Sequence, residues 1–533
     1  VGLPACGHRR EDDPGGVEQV TKAVHKQNKK IFPFFSTRYI FPLLIRDDNT
    51  GSLELVGESH ARRGIALFGD EYMTLAEIDE EHPEYRHHKH TWQIYRDLYA
   101  GGQQLKENAG KYLMPRQKEP AEVYQERLSR VFYENYVGSI IDWYIATLFR
   151  REPVVIIEGR DARAKEFLQT FMEDCDWKGS SLTEFFRHQI LDALVTGTSY
   201  ALLDFPRTAQ VAGTRAEEEL LGSARAYLVP ISAEQLINWG LDEHGNFEWV
   251  VLRSQFERKD PGTGAWTKQS VWTHYDKQRF RKYIREANEK GDGVLLVDSG
   301  YHGLAAQSTV PLYPLRIPSG LWLMNKAGLL QLEHFNKSNS LGWALTMGLF
   351  ATPVVYSDRE WTQVVGDSYY LQLGPNDRFG WTEPEGNVFQ IAADNLYRLQ
   401  QEIYRVCYLM SQAGGPLRGV QQSGLSKQRD FAITQEVLRA YGDAVKEGIK
   451  TVIRAVIAAR QDKVAVDVSG MDEFDIGDFS DELSDAERLL ALGIKSPTLK
   501  KQIYKKLAFK FLSDARQEVK EQISREIDDQ LDG

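Results

Sequence analysis

The chain has 533 residues, 42% hydrophobic and 26% charged, an ordinary globular composition with material for about two to four cores. Its formal net charge of -11 excludes a protein that grips nucleic acid over its whole surface, since that mode needs an excess of Lys and Arg beside the phosphates. Cys6, Cys175 and Cys407 are too few and too far apart for a zinc knuckle or a disulfide framework, which favours a reducing compartment.

The first residues, VGLPACGHRREDD, lack the order of a secretory signal, and no window approaches the ~18 apolar residues of a membrane span, so a soluble protein is expected. Residues 1–35 are polar, basic in patches and punctuated by Pro and Gly, and the stretch 1–90 is expected to be an N-terminal arm or extension. Within it, RYIFPLLIRDDNTGSLELVG predicts a hairpin around Asp47–Gly51. The cluster His82, His87, His88 and His90 lies in EEHPEYRHHKH, a highly charged segment outside any clear helical pattern. A hydrated surface is expected there, and no metal site.

From Glu119 to the break at Glu152-Pro153, apolar residues recur near helical period, predicting one long amphipathic helix followed by a strand, VVIIEG. LTEFFRHQILDALVTG predicts a helix and TSYALLDFP a strand, and residues 207–223 predict a solvated insertion. YLVPIS, FEWVVLRSQF, SVWTHY, RFRKYI and GVLLVD, separated by DEHGN and DPGTG, predict an antiparallel meander. The first 318 residues are thus α+β.

Residues 319–349 hold no proline and predict a long helix. Residues 350–390 carry strand signals, TPVVYS and SYYLQLG, with turns at GPNDRFG and EPEGN. IAADNLYRLQQEIYRVCYLM is helical, and from Lys427 to Arg460 a further helix lines up Leu438, Tyr441, Val445, Ile449, Ile453 and Val456 on one side. Between them, SQAGGPLRGVQQSGLSKQRD places Gly414, Gly415, Gly419 and Gly424 with Pro416 in a stretch that no helix tolerates. At the end of the chain, Ser484 with Glu487 predicts a capping box, Gly493 a stop, Ser496-Pro497 a cap and first-turn proline, and Ser513 the start of a final charged helix.

No GxxxxGK[ST], GxSxG or HExxH pattern occurs, and GTGAWTK at 262–268 has the character of a hairpin turn. The acidic run EFDIGDFSDELSD reads as a hydrated surface.

The order of parts resembles that of tailed-bacteriophage portal proteins, the head-to-tail connectors. YRDLYAGGQQLKENAGKYLMPR (95–116), YQERLSRVFYENY (124–136), LFRREPVV (148–155) and PLYPLRIPSGLWLMNKAGLLQLEHFNKSNSLGWAL resemble stretches of one such family. The resemblance covers about residue 90 to the end and implies an α+β portal-like fold: an α/β wing at 91–318 and a stem helix at 319–349. A small α/β clip at 350–390, a second stem helix at 391–412 and a tunnel loop at 413–426 follow. The wing's long helix and strand at 427–477 and a helical C-terminal crown at 478–533 complete the order.

What the family resemblance implies is a non-enzymatic virion protein at one capsid vertex, assembled in the host cytoplasm as a dodecameric ring. Double-stranded DNA would pass through the ring for packaging, retention and ejection, with the terminase motor and then head-completion adaptor or tail proteins docking to it. The major capsid protein is a further implied partner, and neither cofactor, metal nor membrane is implied. In this frame Gly414, Gly415, Gly419 and Gly424 let the loop move against DNA. Gln421, Gln422 and Ser423 offer uncharged hydrogen bonds, and Arg418 and Lys427 are sparse cations, a lining that lets DNA slide. Trp361, Tyr369, Tyr370 and Trp381 would anchor the motor and adaptor, or pack subunits together. Two other readings stand beside it: a hydrolase with dispersed carboxylates, and a virion scaffold or adaptor that forms no channel.

Overall fold

The computed structural model describes residues 44–46, 53–55, 74–206, 225–259, 262, 264–288, 291–348, 352–358, 373–382, 386–409, 424–471, 474, 479–512 and 517–532. Two units are distinguished, Val1–Tyr72 and Met73–Gly533. In the first, β1 (Leu44–Arg46) and β2 (Leu53–Leu55) pair antiparallel with Ile45 opposite Glu54, as the turn residues between them predict.

The second unit opens with α1 (Leu75–Ile78), held by a capping box between Thr74 and Glu77, and α2 (Pro83–Ala100), which has proline at its start and His82 as its cap. The EEHPEYRHHKH segment is therefore helical, contrary to expectation. Tyr85, Trp92, Tyr95 and Leu98 give α2 a buried stripe that the intervening charges obscured. This helix runs through residue 90, where the texture of the sequence changes but no element ends.

After α3 (Gly102–Asn108) come α4 (Ala121–Ser129) and α5 (Tyr136–Leu148), two helices where the apolar period predicted one. The break has a local cause, since Asn135 caps α5 by accepting from the Gly138 amide at 2.8 Å. Next are β3 (Val154–Gly159), α6 (Ala162–Glu173), capped by Asp161, and α7 (Leu182–Thr196), capped by Ser181 and stopped by Gly197 at φ 89°.

The β-rich region is β4 (Thr198–Asp204), β5 (Tyr227–Ser232), β6 (Leu236–Leu241), β7 (Phe247–Lys259), β8 (Trp266–Asp276), β9 (Arg279–Asn288), β10 (Gly291–Tyr301) and β11 (Leu312–Arg316). The meander expected here divides between two sheets: β6 to β10 are neighbours in sequence order, whereas β5 leaves to pair with β4, whose other side holds β11. Pro314 hides β11 from a propensity reading, and its place on the sheet edge is where proline is tolerated.

The chain continues as α8 (Leu323–Gly348), β12 (Thr352–Tyr356), β13 (Arg378–Thr382), α9 (Gly386–Val406), α10 (Gly424–Arg460) and β14 (Val464–Ser469), the last pairing antiparallel with β3. It ends in α11 (Phe479–Ala491), α12 (Pro497–Phe511) and α13 (Gln517–Asp532). TPVVYS pairs with Arg378–Thr382, part of which carried turn signals. α9 starts before residue 391. Gly424, expected in a loop, is the first residue of α10, and Ser484, expected as a cap, sits inside α11. Ser496 and Pro497 do open α12, the serine accepting from the Leu499 amide. Residues 368–372 of SYYLQLG, the 207–223 insertion and Ser513 lie outside the described residues, and Leu373 and Gly374 at its end are not in a strand.

The main core joins α2, α5, α7, α8 and α10 to the β4 and β3 sheets, and Tyr144, Phe186, Phe335 and Tyr441 are among its largest fully buried side chains. The predicted stripe of α10, Leu438 to Val456, is wholly inside it. Two smaller clusters lie on either face of the meander sheet, one against β4 and β5 and the other against α1 and α2. The class is α+β, with every strand pairing antiparallel among the described residues.

Candidate functional site: the roots of a helix hairpin

α8 has two unlike halves. From Leu323 to Asn339 it buries Leu323, Met324, Ala327, Gln331, His334, Phe335, Ser338 and Asn339, whereas from 340 to 346 none of its residues is buried. α9 lies along it, with Lys337 Nζ bonded to Asn395 Oδ1 at 3.0 Å, and none of its described side chains is buried before Ile403. The β12–β13 ladder, Thr352 opposite Thr382 and Tyr356 opposite Arg378, follows the distal end of α8. At about 1.5 Å per residue the 26 residues of α8 span about 39 Å, so the helix extends well beyond the part the core holds. Along this hairpin Val388 is 64% and Ile391 69% exposed, three residues apart on one side of α9, and Tyr397, on the side opposite Val388, is 50% exposed.

The buried half is fixed by side-chain amides. Gln331 Oε1 accepts from the Val137 amide at 3.3 Å while its Nε2 donates to Glu134 O at 2.9 Å. Asn336 accepts from the Met114 amide at 2.9 Å and donates to Tyr112 O at 3.0 Å. Asn339 accepts from the Phe132 amide at 3.1 Å and donates to Phe132 O at 2.9 Å. Phe132 and Glu134 lie between α4 and α5, and Tyr112 and Met114 precede α4; bonding their backbone groups to side-chain amides offsets the cost of burying them. His334, on the same face, lies 3.5 Å from Glu134 and edge-on to Tyr136; burial pushes its pKa down, with Glu134 opposing.

The other root follows α9. Cys407 and Leu409 are buried, and Tyr408 between them has φ 60°, a left-handed turn held from three sides. Tyr144 donates to Cys407 O at 2.7 Å, Thr434 Oγ1 of α10 donates to Tyr408 O, and Lys326 of α8 bonds the Tyr408 hydroxyl with its ammonium 4.5 Å from the ring centre. Burial pushes the Cys407 thiol up to about 12, so it is no nucleophile at neutral pH, and it raises the Tyr144 and Tyr441 phenols, which serve as donors. Tyr441 donates to Leu321 O at 2.6 Å, which ties α10 to the start of α8.

Gly414, Gly415, Arg418, Gly419, Gln421, Gln422 and Ser423 lie outside the described residues, as do Trp361, Tyr369 and Tyr370. Gly424 and Lys427 belong to the first turn of α10, and Trp381 stands in β13 opposite Pro353. The residues that anchor both roots, Lys326, Gln331, Asn336, Asn339, Tyr408 and Thr434, were not singled out from sequence. The one available signal was the run of amides at 331, 336 and 339 amid apolar positions.

The histidine cluster divides: His82 stacks on Trp239 at 3.9 Å and His88 on Trp92 at 5.7 Å, packing α2 internally and against β6, while His87 and His90 are exposed to solvent as expected. Among the described residues no group of three or more His, Cys, Asp or Glu is arranged to hold a metal, and no helix is long and apolar enough to cross a membrane.

No protein-family model and no curated protein matches the chain. Among solved structures, a chain from the neck of an empty gene transfer agent particle, computed with C6 symmetry, is 11% identical, with 67% of this chain and 85% of that chain covered and a TM-score of 0.37. A chain of the native gene transfer agent virion is 12% identical, with 73% and 95% covered and a TM-score of 0.37. A chain from the native particle's neck, computed with C12 symmetry, is 11% identical, with 67% and 86% covered and a TM-score of 0.31.

Proposed function

We propose that the chain is a portal-type subunit, a structural protein that closes with about twelve copies of itself into a ring at one capsid vertex and acts without turnover. The single observation that carries this reading is the path of the chain. A helix anchored in the body leaves it, a two-stranded ladder follows, a second helix returns to a fixed turn at Cys407–Leu409, and after residues 410–423 the 37-residue α10 runs through the core. In this reading the exposed side of α9 at Val388 and Ile391 meets a neighbouring copy, and residues 414–423 face double-stranded DNA during packaging, retention and ejection. The ladder region, with Trp361, Tyr369, Tyr370 and Trp381, docks the terminase and later the head-completion and tail proteins. The rest of the body contacts the major capsid protein, in a virion vertex assembled in the host cytoplasm.

Light scattering with negative-stain imaging tests it. A ring of about twelve 60.9 kDa chains with an axial hole is expected; a chain that stays single even when mixed with its capsid and scaffold proteins would overturn it. Deleting residues 414–423 should leave ring assembly intact and impair DNA packaging or retention, and wild-type packaging by that variant would remove the loop assignment.

A further inference from the structure

Where α8 leaves the body, a hollow of about 240 Å³ opens between it and the end of α4, walled by Leu113, Phe132, Trp343 and Thr346 with Arg130 at its rim. Asn339, Trp343 and Thr346 follow one another at steps of four and three, and so share one side of α8. Lys337, which bonds Asn395 of α9 at 3.0 Å, stands two residues before Asn339, about 200° around the helix. The hollow therefore lies on the side of α8 turned away from α9.

α9 carries the matching knob. Val388 and Ile391 are largely exposed, and so is Asp394, three residues further on. Lys326 meets Tyr408 and Lys337 meets Asn395, so the two helices run antiparallel in a fixed register. In that register Ile391 stands about level with Leu341 and Val388 about level with Ala344, within the span of the hollow from Asn339 to Thr346. Rotation about a ring axis that runs along the hairpin keeps each residue at its height, so a contact between neighbouring copies joins groups that are level.

Volume and charge agree with this. At the ~30 Å³ a water occupies in the liquid, the hollow has room for about eight heavy atoms, and the side chains of Val388 and Ile391 bring about seven. Arg130 stands 5.9 Å from the Trp343 ring centre and pairs with Glu126 where both side chains are about half exposed. Such a pair is weak and readily exchanged, and Asp394 brings the same charge as Glu126 beside the knob.

We propose that the hollow seats a second copy of this chain: Val388 and Ile391 of one subunit pack against Trp343 and Phe132 of the next, and Asp394 pairs with Arg130 at the rim. Hollow and knob are different surfaces of one hairpin, so the contact is head-to-tail and closes a ring instead of a two-fold dimer. It rests on the ring proposed above and specifies which surfaces meet there.

The test uses the full chain carrying Thr346→Cys and Ile391→Cys, oxidised under conditions where the wild-type chain assembles. A ladder of covalent multiples of 60.9 kDa on a denaturing gel is expected from the double variant and from neither single one. Asp394→Arg or Arg130→Asp alone should weaken association about tenfold, and the two together should restore it. Unchanged melting of the isolated subunit confirms the fold of each variant. Rings that form without the ladder, or a charge-exchanged double variant no better than the singles, would overturn this contact and leave the ring standing. A wild-type chain that forms no ring at all would overturn both.

Discussion

The two halves of α8 are one helix in two environments. The first half turns Phe335 into the core and is tied by side-chain amides to the backbone of residues 112–114 and 132–137, while Leu329 on its other side is 70% exposed. The second half and α9 hold mainly each other, and they turn Leu345, Val388, Ile391 and Tyr397 outward. Burial is thus deep along one face of the first half and absent from residues 340–346, and the hairpin has apolar surface left to bury.

Substitution should break the two halves differently. Phe335→Ala removes a side chain that is 1% exposed at the centre of the core, and is expected to cost about 3–5 kcal/mol, read as a lowered midpoint in denaturant. A loss below about 1 kcal/mol would mean that the first half of α8 is not as firmly held as its packing indicates. Asn339→Leu keeps the volume and orphans the amide and carbonyl of Phe132, and about 1–3 kcal/mol should go with them. Ala substitution at exposed Lys337, which meets Asn395 and Glu333 at the surface, is the matched control, with a change within about 0.5 kcal/mol.

The same contrast decides what was legible in the sequence. Features with local causes were readable: the stripe of α10 from Leu438 to Val456, the Ser181-capped α7, the Ser496-Pro497 start of α12, and the turn at Asp242–Asn246, where Asp242 accepts from the His244 and Asn246 amides. Features made by distant partners were not. Residues 130–135 carry an apolar helical period, and beside the local Asn135 cap the backbone of Phe132 and Glu134 is bonded from α8, some 200 residues on in the chain. His82 and His88 stand in a charged run, and their aromatic partners, Trp239 and Trp92, give them their role.

The candidate site divides along the same line. Its glycine-rich connection could be seen in SQAGGPLRGVQQSGLSKQRD, because glycine and proline act locally. Its anchors could not, since Lys326, Tyr408 and Thr434 matter only through contacts between α8, the end of α9 and α10. Gly424 marks the boundary: the last glycine of a loop read as running to residue 426 is the first residue of a 37-residue helix.

Acid should loosen the buried half by a smaller amount. His334 has its pKa lowered by burial, and His88 and His302 are lowered for the same first reason. The unfolded chain then takes up these protons at a higher pH than the folded chain does. Their contribution is complete above about 6.5 and is lost as pH falls from there toward the depressed folded values. Melting temperature should drop between pH 7.5 and 5.5, before carboxylates such as Glu119 and Glu234, whose values are lowered from 4.5, begin to titrate. His334→Gln should flatten that slope; an unchanged slope would remove His334 from the account.

The exposed half gives the smallest effect on the single chain and the sharpest one on assembly. Val388→Asp and Ile391→Asp change side chains that are 64% and 69% exposed on α9, so the melting of the isolated subunit should move by no more than about 0.5 kcal/mol equivalent. If that row is where copies of the chain meet, a buried, unpaired carboxylate at each interface is costly, and the cost repeats at every contact of a closed ring. Sedimentation of the double variant should then show single subunits under conditions where the wild-type chain forms rings. Rings of normal size would place the subunit contact elsewhere, and a large loss of stability in the isolated subunit would show that α9 is held within its own chain more tightly than the exposure of Val388 and Ile391 indicates.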